Sequence, residues 1–299
     1  MKAPDATVCD LLAQTRHPLL SLEFFPPRDH LGFGVLGSSI ERMRSIRPDF
    51  VTVTYGAGGT TRELTLDVCR LLRRMGFGPI MAHLTCVGHT RAELETLAAC
   101  YTAEGLRNVM ALRGDPPQGA TRFQPTPAGL AHAGELVALL RECLPDTCLG
   151  VAGYPEGHPE APSPAADIAH LKRKLDAGAQ FVTTQVFYDN QVYFDFVARC
   201  RAAGITQPIL PGLLPPFSLP QVERMLQLTR ASFPAALREA MTAAGGTGPW
   251  AEAVGVHWTV QQIDELLARG APGIHLYILN RARTLQAPEL EDCWERWRA

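Results

Sequence analysis

Some polar side chains that could transfer protons stand directly after short apolar runs. Glu23 follows the apolar run 19–22, and the two residues after it are aromatic. A carboxyl group at the end of an apolar strand is partly removed from water, which favours its protonated form near neutrality. We therefore predict that Glu23 is a general acid. The alternative is a structural ion pair with Arg28 or Arg113.

The segment 113–117 carries further polar groups at the end of another apolar run. Gly114 lets the backbone approach a ligand closely. Asp115 could accept hydrogen bonds from an amide or amino group of a heterocycle. The alternative is a proline-rich turn in which Asp115 bonds to its own backbone.

Three residues have a spacing that resembles that of metal ligands: His83, Cys86 and His89. His83 is expected at a strand end and the other two on the following loop, with no evident fourth ligand. We therefore predict no metal site and a hydrogen-bonding role for His83.

The loop from Tyr55 to Thr61 is rich in glycine and opens a predicted helix. Its backbone N–H groups could bind an anion, although the loop lacks the lysine of a P-loop. The alternative is that Thr60 or Thr61 caps the helix.

A charged helix is predicted after Tyr154. Asp167 could hold a ribose hydroxyl group while Arg173 or Lys174 neutralises phosphate; the alternative is a solvated charged face. Amide and guanidinium groups that could bind a polar substrate occur at Gln185, Gln221 and Arg281.

The elements that position these residues repeat along the chain. Seven apolar runs end at a polar residue: Glu23, Thr54, His83, Arg113, Tyr154, Gln185 and Arg281. Strands are predicted near 18–24, 49–54, 79–84, 107–112, 148–153, 180–186, 208–213 and 273–279. Amphipathic stretches of helical length, such as 61–75 and 165–177, lie between them.

This alternation predicts an α/β fold, specifically a (β/α)8 TIM barrel, in which the C-terminal ends of all strands meet at one mouth. Residues 1–299 are expected to form one domain. Extra helices near 233–244 and 259–269, joined by a loop at 245–249, are expected between strands 7 and 8. The alternative is an open doubly wound sheet; we favour the barrel because eight strands fit and no Gly-x-Gly-x-x-Gly motif follows the first strand.

Composition narrows the class of protein further. The chain has 299 residues, 46% of them hydrophobic, and a net charge of -2, which gives no electrostatic case for binding nucleic acid or an anionic membrane. Its eight cysteines form no Cys-x-x-Cys motif and are interpreted as reduced. No signal peptide and no membrane span are apparent, so a cytoplasmic location is expected. Assembly into a homo-oligomer is left open.

Ordered motifs along most of the chain resemble the 5,10-methylenetetrahydrofolate reductase family. They lie at 21–27, 53–59, 82–86, 111–115, 154–160, 171–179, 184–185, 211–215 and 279–282. The resemblance implies a (β/α)8 barrel that carries FAD at the C-terminal face. NADH or NADPH would reduce the flavin and then be replaced by methylenetetrahydrofolate. Glu23 would protonate folate N10, and Asp115 would lie near the flavin pyrimidine and the pterin.

The resemblance also implies a set of contact residues. Those for FAD are Thr54, Tyr55, His83, Arg113, Gly114, Asp115, His132, Ala133, Tyr154, His158, Ala161, Asp167, His170, Arg173 and Lys174. Those for folate or nicotinamide are Glu23, Asp115, Gln185, Gln221 and Arg281. Three positions depart from common family residues: His132, His170 and Met225. Inhibition by S-adenosylmethionine is not expected, because the chain ends soon after strand 8.

Three other functions remain as alternatives. One is another flavin-dependent barrel oxidoreductase, for example one that acts on proline. The second is a flavin-free reductase that uses NADH or NADPH directly. In such an enzyme the group of Asp167, Arg173 and Lys174 would have no function. The third is a non-catalytic folate- or flavin-binding paralogue that acts as a subunit of a complex, which would have no need of the proton donor Glu23.

Overall fold

The strands of the protein form one parallel sheet. The computed structural model describes residues 6–27, 29–55, 62–116 and 123–298. The strands are β1 (Leu19–Phe24), β2 (Phe50–Val53), β3 (Ile80–Thr85), β4 (Asn108–Leu112), β5 (Cys148–Gly153), β6 (Phe181–Thr184), β7 (Ile209–Leu210), β8 (Gly212–Leu213) and β9 (Gly273–Tyr277). Their order in the sheet is β7-β6-β5-β4-β3-β2-β1-β9-β8.

The sheet closes on itself through a strand that is interrupted at Pro211. β7 pairs with β6, whereas β8, directly after Pro211, pairs with β9. Proline has no N–H group for the ladder, but its carbonyl oxygen accepts a hydrogen bond of 2.9 Å from His275 N. The nine segments therefore occupy eight positions of a closed barrel. This confirms the predicted (β/α)8 fold over the open sheet.

Helices surround the barrel. They are α1 (Val8–Gln14), α2 (His30–Arg42), α3 (Arg62–Arg74), α4 (Arg91–Ala103), α5 (Ala133–Cys143), α6 (Pro164–Asp176), α7 (Asn190–Ala202), α8 (Leu219–Thr229), α9 (Ala235–Ala243), α10 (Pro249–Ala268), α11 (Ala282–Leu285) and α12 (Pro288–Arg298), with a short 3-10 helix at Arg44–Ile46. Within the described ranges, no helix is both long enough and apolar enough to cross a membrane.

The predicted strands agree with the structure to within about two residues at each end. The extra helices between the last two strand positions are also present, as α9 and α10. One boundary was wrong: the helix predicted at 259–269 begins at Pro249, which the sequence analysis assigned to a loop. Proline suits the first position of a helix because no N–H donor is needed there.

Helix α1 covers the end of the barrel opposite the predicted mouth. Its buried residues Val8 and Leu11 pack with apolar side chains from the starts of the strands, including Leu19 and Phe50. Next to them Cys9 forms a disulfide with Cys148, the first residue of β5, across a Cα–Cα distance of 5.9 Å. The prediction that all cysteines are reduced is therefore wrong for this pair. The two residues are 139 positions apart, so spacing gave no sign of the bond.

A candidate active site at the C-terminal mouth of the barrel

A cavity of about 900 Å³ lies at the C-terminal ends of the strands. Six of the seven predicted strand-end residues line it: Glu23, Thr54, His83, Arg113, Tyr154 and Gln185. The other predicted FAD contacts also line it: Tyr55, Gly114, Asp115, His132, Ala133, His158, Ala161, Asp167, His170, Arg173 and Lys174. A cavity of this size can enclose much of a cofactor-sized ligand.

Glu23 lies between two buried histidines. Its Oε2 atom is 3.7 Å from His83 Nε2 and 3.5 Å from His275 Nε2. The side chain of Glu23 is 18% exposed, against 8% for His83 and 2% for His275. Arg113 instead pairs with Glu160, which removes it as a structural partner of Glu23, and Arg28 lies outside the described residues.

Burial keeps His83 neutral. It lowers the pKa of His83 to about 4, although the nearby charge of Glu23 acts in the opposite direction. The charge of the neighbouring His275 lowers the pKa of His83 further. Glu23 is therefore a carboxyl group with a neutral imidazole beside it on β3.

Ser21 orients the second imidazole. The two residues are register partners on β1 and β9, and Ser21 Oγ is 2.8 Å from His275 Nδ1. Ser21 Oγ can also donate to the carbonyl oxygen of Ile274 at 3.5 Å. The hydroxyl can therefore accept a hydrogen from Nδ1 or donate one to it, so either tautomer of His275 can face Glu23.

Neither Ser21 nor His275 was predicted from the sequence as a site residue. The available signal was the two-residue period of a strand, which places Ser21 with Glu23 and His275 with Tyr277 on the same face. Their strands β1 and β9 are neighbours only because the barrel closes, so the pairing needed the fold.

Tyr277 lines the cavity next to His275. Its hydroxyl donates to the carbonyl oxygen of Thr184 at 2.8 Å, and its ring contacts the His275 ring edge-on with centroids 4.7 Å apart. Burial, followed by the charge of Glu23, raises the pKa of Tyr277 well above its usual value. A Cβ at Gly212 would lie 2.3 Å from the Thr184 oxygen, so only glycine fits beside this contact.

The α6 side of the cavity carries the predicted phosphate-binding group. The buried Asp167 carboxylate accepts a hydrogen bond of 3.2 Å from His158 N. Lys174 Nζ donates to the carbonyl oxygen of Ala152. Burial lowers the pKa of Lys174 to about 8, with Asp167 opposing the shift. Arg173 is exposed at the same rim.

Arg113 spans the mouth from the end of β4 to the loop before α6. Its Nη2 donates to Glu160 Oε1 at 3.1 Å, and its guanidinium group lies 4.8 Å from the centre of the Phe123 ring. Behind it the Tyr154 and His158 rings meet edge-on at 4.7 Å. Burial and then the charge of Asp115 raise the pKa of Tyr154 to about 12.

Gln221 and Arg281 do not line this cavity. They lie instead around Phe217. Gln221 Oε1 accepts a hydrogen bond of 2.9 Å from Phe217 N, and the Arg281 guanidinium group is 5.6 Å from the centre of its ring. The structure therefore brings these two predicted substrate residues together around Phe217.

The histidine–cysteine motif has separate partners. His83 faces Glu23, whereas His89 Nε2 is 3.0 Å from the hydroxyl of Tyr55. Cys86 Sγ contacts the carbonyl oxygens of Leu112 and His132 at 3.6 Å. Among the described residues no cluster of three or more His, Cys, Asp or Glu side chains has the arrangement of a metal site.

The cavity wall presents polar atoms that a ligand could satisfy. Within the described part of the chain, His83 Nε2 and Thr85 Oγ1 are buried and have no hydrogen-bond partner. Buried polar atoms are normally paired, so unpaired ones in a cavity wall suit a polar heterocycle. Together with the cations on α6, they fit a ligand with a heterocycle at one end and phosphate at the other. The glycine-rich loop at 56–61 lies outside the described residues.

The closed barrel and the polar cavity at the C-terminal ends of its strands are the features of an α/β-barrel enzyme. A family model described as methylenetetrahydrofolate reductase matches residues 9–287. The chain belongs to the methylenetetrahydrofolate reductase family.

Its relatives include bacterial and plant proteins. The 5,10-methylenetetrahydrofolate reductase of Salmonella typhimurium is 38% identical over 263 residues, which are 88% of this chain and 86% of that protein. The Escherichia coli protein of the same name is 37% identical with the same coverage. A protein from Oryza sativa named probable methylenetetrahydrofolate reductase (NADH) is 36% identical, and the match spans 46% of its length.

A solved structure shares the fold. It is an uncharacterised Clostridium thermocellum protein that binds two copies of 5-methyl-5,6,7,8-tetrahydrofolic acid. The two chains superpose with a TM-score of 0.66 over 96% of this chain and 98% of that one, at 14% identity.

Proposed function

We propose that the protein reduces 5,10-methylenetetrahydrofolate to 5-methyltetrahydrofolate with NADH or NADPH, in two half-reactions through FAD. The observation that carries the proposal is the Glu23 carboxyl group between His83 and His275 at the mouth of a polar cavity. Membership of the family supports the substrate. Rice and Arabidopsis relatives have NADH in their names, so NADH is the first reductant to test.

FAD would be held along one side of the cavity. Asp167 is suited to a ribose hydroxyl group, and Arg173 and Lys174 to the diphosphate. His83 and Thr85 offer unpaired polar atoms for the heterocycle. When bound there, the flavin would supply hydride transfer, while the protein supplies position and electrostatics.

Glu23 would supply a proton to folate N10. Opening the five-membered ring requires a proton on that nitrogen as its bond to the methylene carbon breaks, and hydride then converts the carbon to methyl. Glu23 is partly exposed, so it can reach the substrate, and His83 beside it remains neutral at pH 7. His275, with Ser21 behind it, is placed to return a proton to Glu23.

Asp115 would act through its charge. It is exposed at the cavity mouth, and its charge is near enough to Tyr154 to raise the pKa of that phenol. A negative group in this position disfavours an anionic reduced flavin and so favours hydride donation. Asp115→Asn should therefore change the midpoint potential of the bound flavin, and an unchanged potential would remove this role.

The test is anaerobic absorption spectroscopy of the protein with added FAD. We expect NADH to bleach the flavin bands and methylenetetrahydrofolate to restore them, in separate steps. A protein that oxidises NADH with the folate but binds no flavin would be the flavin-free reductase. A protein that binds flavin or folate with no turnover would be the non-catalytic paralogue. If another acceptor, such as the product of proline oxidation, restores the flavin bands and the folate does not, the protein would be a different flavin oxidoreductase.

A further inference from the structure

Two histidines line the cavity near the cations of α6. His132 is the residue directly before α5, and its side chain makes no capping hydrogen bond to that helix. His170 lies on α6, is exposed, and lines the same cavity. The first turn of α5 lies against α6, since a Cβ at Gly134 would be 3.8 Å from Lys174 Cγ. Both histidines therefore line the same cavity as Lys174, which the proposed function assigns to phosphate, and the charges of His132 and Lys174 both act on His170.

The charges around His170 favour its neutral form in the free protein. Burial lowers its pKa most, followed by the positive charge of Arg173. His132 and Lys174 act in the same direction, and Asp167 opposes them.

Other charged groups near this side of the cavity are either paired with other residues or titrate at a different pH from an ordinary imidazole. Glu135 on α5 accepts a hydrogen bond from Ala131 N, and Glu160 pairs with Arg113. The pKa of His158 is also lowered, first by burial, and that of Lys174 lies at about 8. Lys174 therefore titrates above the range in which an ordinary imidazole does.

A bound diphosphate would reverse the preference of His170 for its neutral form. Its negative charge would offset the cations of α6 and favour the protonated imidazoles. This inference depends on the proposed function. We propose that His132 and His170 take up protons when FAD binds, so that FAD affinity rises as the pH falls from about 7 to about 5.5. The two histidines would be binding residues for the diphosphate whose contribution depends on pH.

Titration calorimetry and flavin fluorescence test this proposal without any turnover. The diphosphate of FAD stays ionised throughout this pH range, so a change in affinity reports on the protein. Calorimetry at pH 7 in two buffers of different ionisation enthalpy gives the number of protons taken up. We expect net proton uptake on FAD binding. The dissociation constant for FAD should then fall by up to about tenfold for each unit by which the pH is lowered and each proton taken up.

Variants test whether these two histidines account for the proton uptake. The changes His132→Gln and His170→Gln should each reduce proton uptake, and the double variant should abolish most of the pH dependence. His257→Gln is the matched control, because His257 is exposed on α10 and does not line the cavity. It should behave as the wild type.

The outcomes distinguish this inference from the proposed function. Tight FAD binding with no proton uptake, or uptake that survives in the double variant, would overturn the role of the two histidines only. Absence of FAD binding at every pH would overturn the proposed function and this inference together.

Discussion

His275 presents its Nε2 atom to the carboxyl group of Glu23 at 3.5 Å, from the neighbouring strand of the closed barrel. Its other ring nitrogen is 2.8 Å from the hydroxyl of Ser21. Both groups are buried, so the imidazole has few alternative orientations. The carboxyl group therefore has a buried imidazole neighbour with a restricted orientation.

His275→Gln should slow the folate half-reaction. Glutamine keeps a polar group near Glu23 but cannot exchange a proton, so we expect a loss of about 10- to 100-fold, the range of one hydrogen bond to a charged group. Flavin reduction by NADH should change little. Ser21→Ala should give a smaller loss in the same step. Stopped-flow absorbance resolves the two half-reactions, and equal losses in both would count against a proton-transfer role.

Acid should destabilise the protein through His83. Its folded pKa of about 4 lies below the ordinary value of 6.5, so the unfolded chain binds more protons between these values. The stabilising contribution is present above about pH 6.5 and is lost as the pH falls towards 4. A difference of about 2.5 pKa units corresponds to about 3 kcal/mol.

Urea unfolding at several pH values measures this contribution. His83→Gln should show a smaller loss of stability between pH 6.5 and 4 than the wild type, because glutamine does not titrate. His257→Gln, at an exposed position, should keep the wild-type profile. Parallel profiles for wild type and His83→Gln would show that His83 is not held neutral.

Gly212→Ala should destabilise the protein and distort the site. The added Cβ would lie 2.3 Å from the Thr184 oxygen and 2.7 Å from the Tyr277 ring, so the last strand positions must separate. We expect a loss of about 1–3 kcal/mol. Gly34→Ala is the control, because Gly34 lies in α2 with nothing within 4 Å of the new Cβ, and it should stabilise by about 1 kcal/mol. A Gly212→Ala protein with unchanged denaturant midpoint would contradict this packing.

Loss of the disulfide should lower stability. Cys9→Ser opens a link between residues 139 positions apart, for which about 2–4 kcal/mol is typical. Cys100→Ser, at an exposed free cysteine, should have little effect. In denaturant without reductant, six thiols should react with a thiol reagent, because six of the eight cysteines are free. Eight reactive thiols would show that the bond does not form.

The fold was largely predictable because each strand and helix has a local signal. Continuous apolar runs gave the strands, and the repeated alternation gave the barrel. The start of α10 was misplaced because Pro249 follows four loop-like residues, and only its backbone position shows that it begins a helix. The Cys9–Cys148 bond depends on how α1 packs on the barrel floor, which no local pattern reveals.

The site was predictable where a residue ends a strand. Glu23, His83 and Arg113 converge on one cavity because strand C-termini do so in a barrel. Arg281 lies four residues beyond the last residue of β9, Tyr277, and its guanidinium group lies near the Phe217 ring, so its role in substrate binding stays a prediction. The pairing of Ser21 with His275 depends on the register between the first and last strands, which only the closed structure provides.

The most direct test of the central claim is the rate of each half-reaction in Glu23→Gln. The variant keeps the shape and polarity of the side chain but cannot donate the proton. We expect NADH to reduce bound flavin at nearly the wild-type rate, and reoxidation by methylenetetrahydrofolate to fall by at least about 100-fold. Reoxidation at the wild-type rate would contradict the assignment of Glu23 as the proton donor.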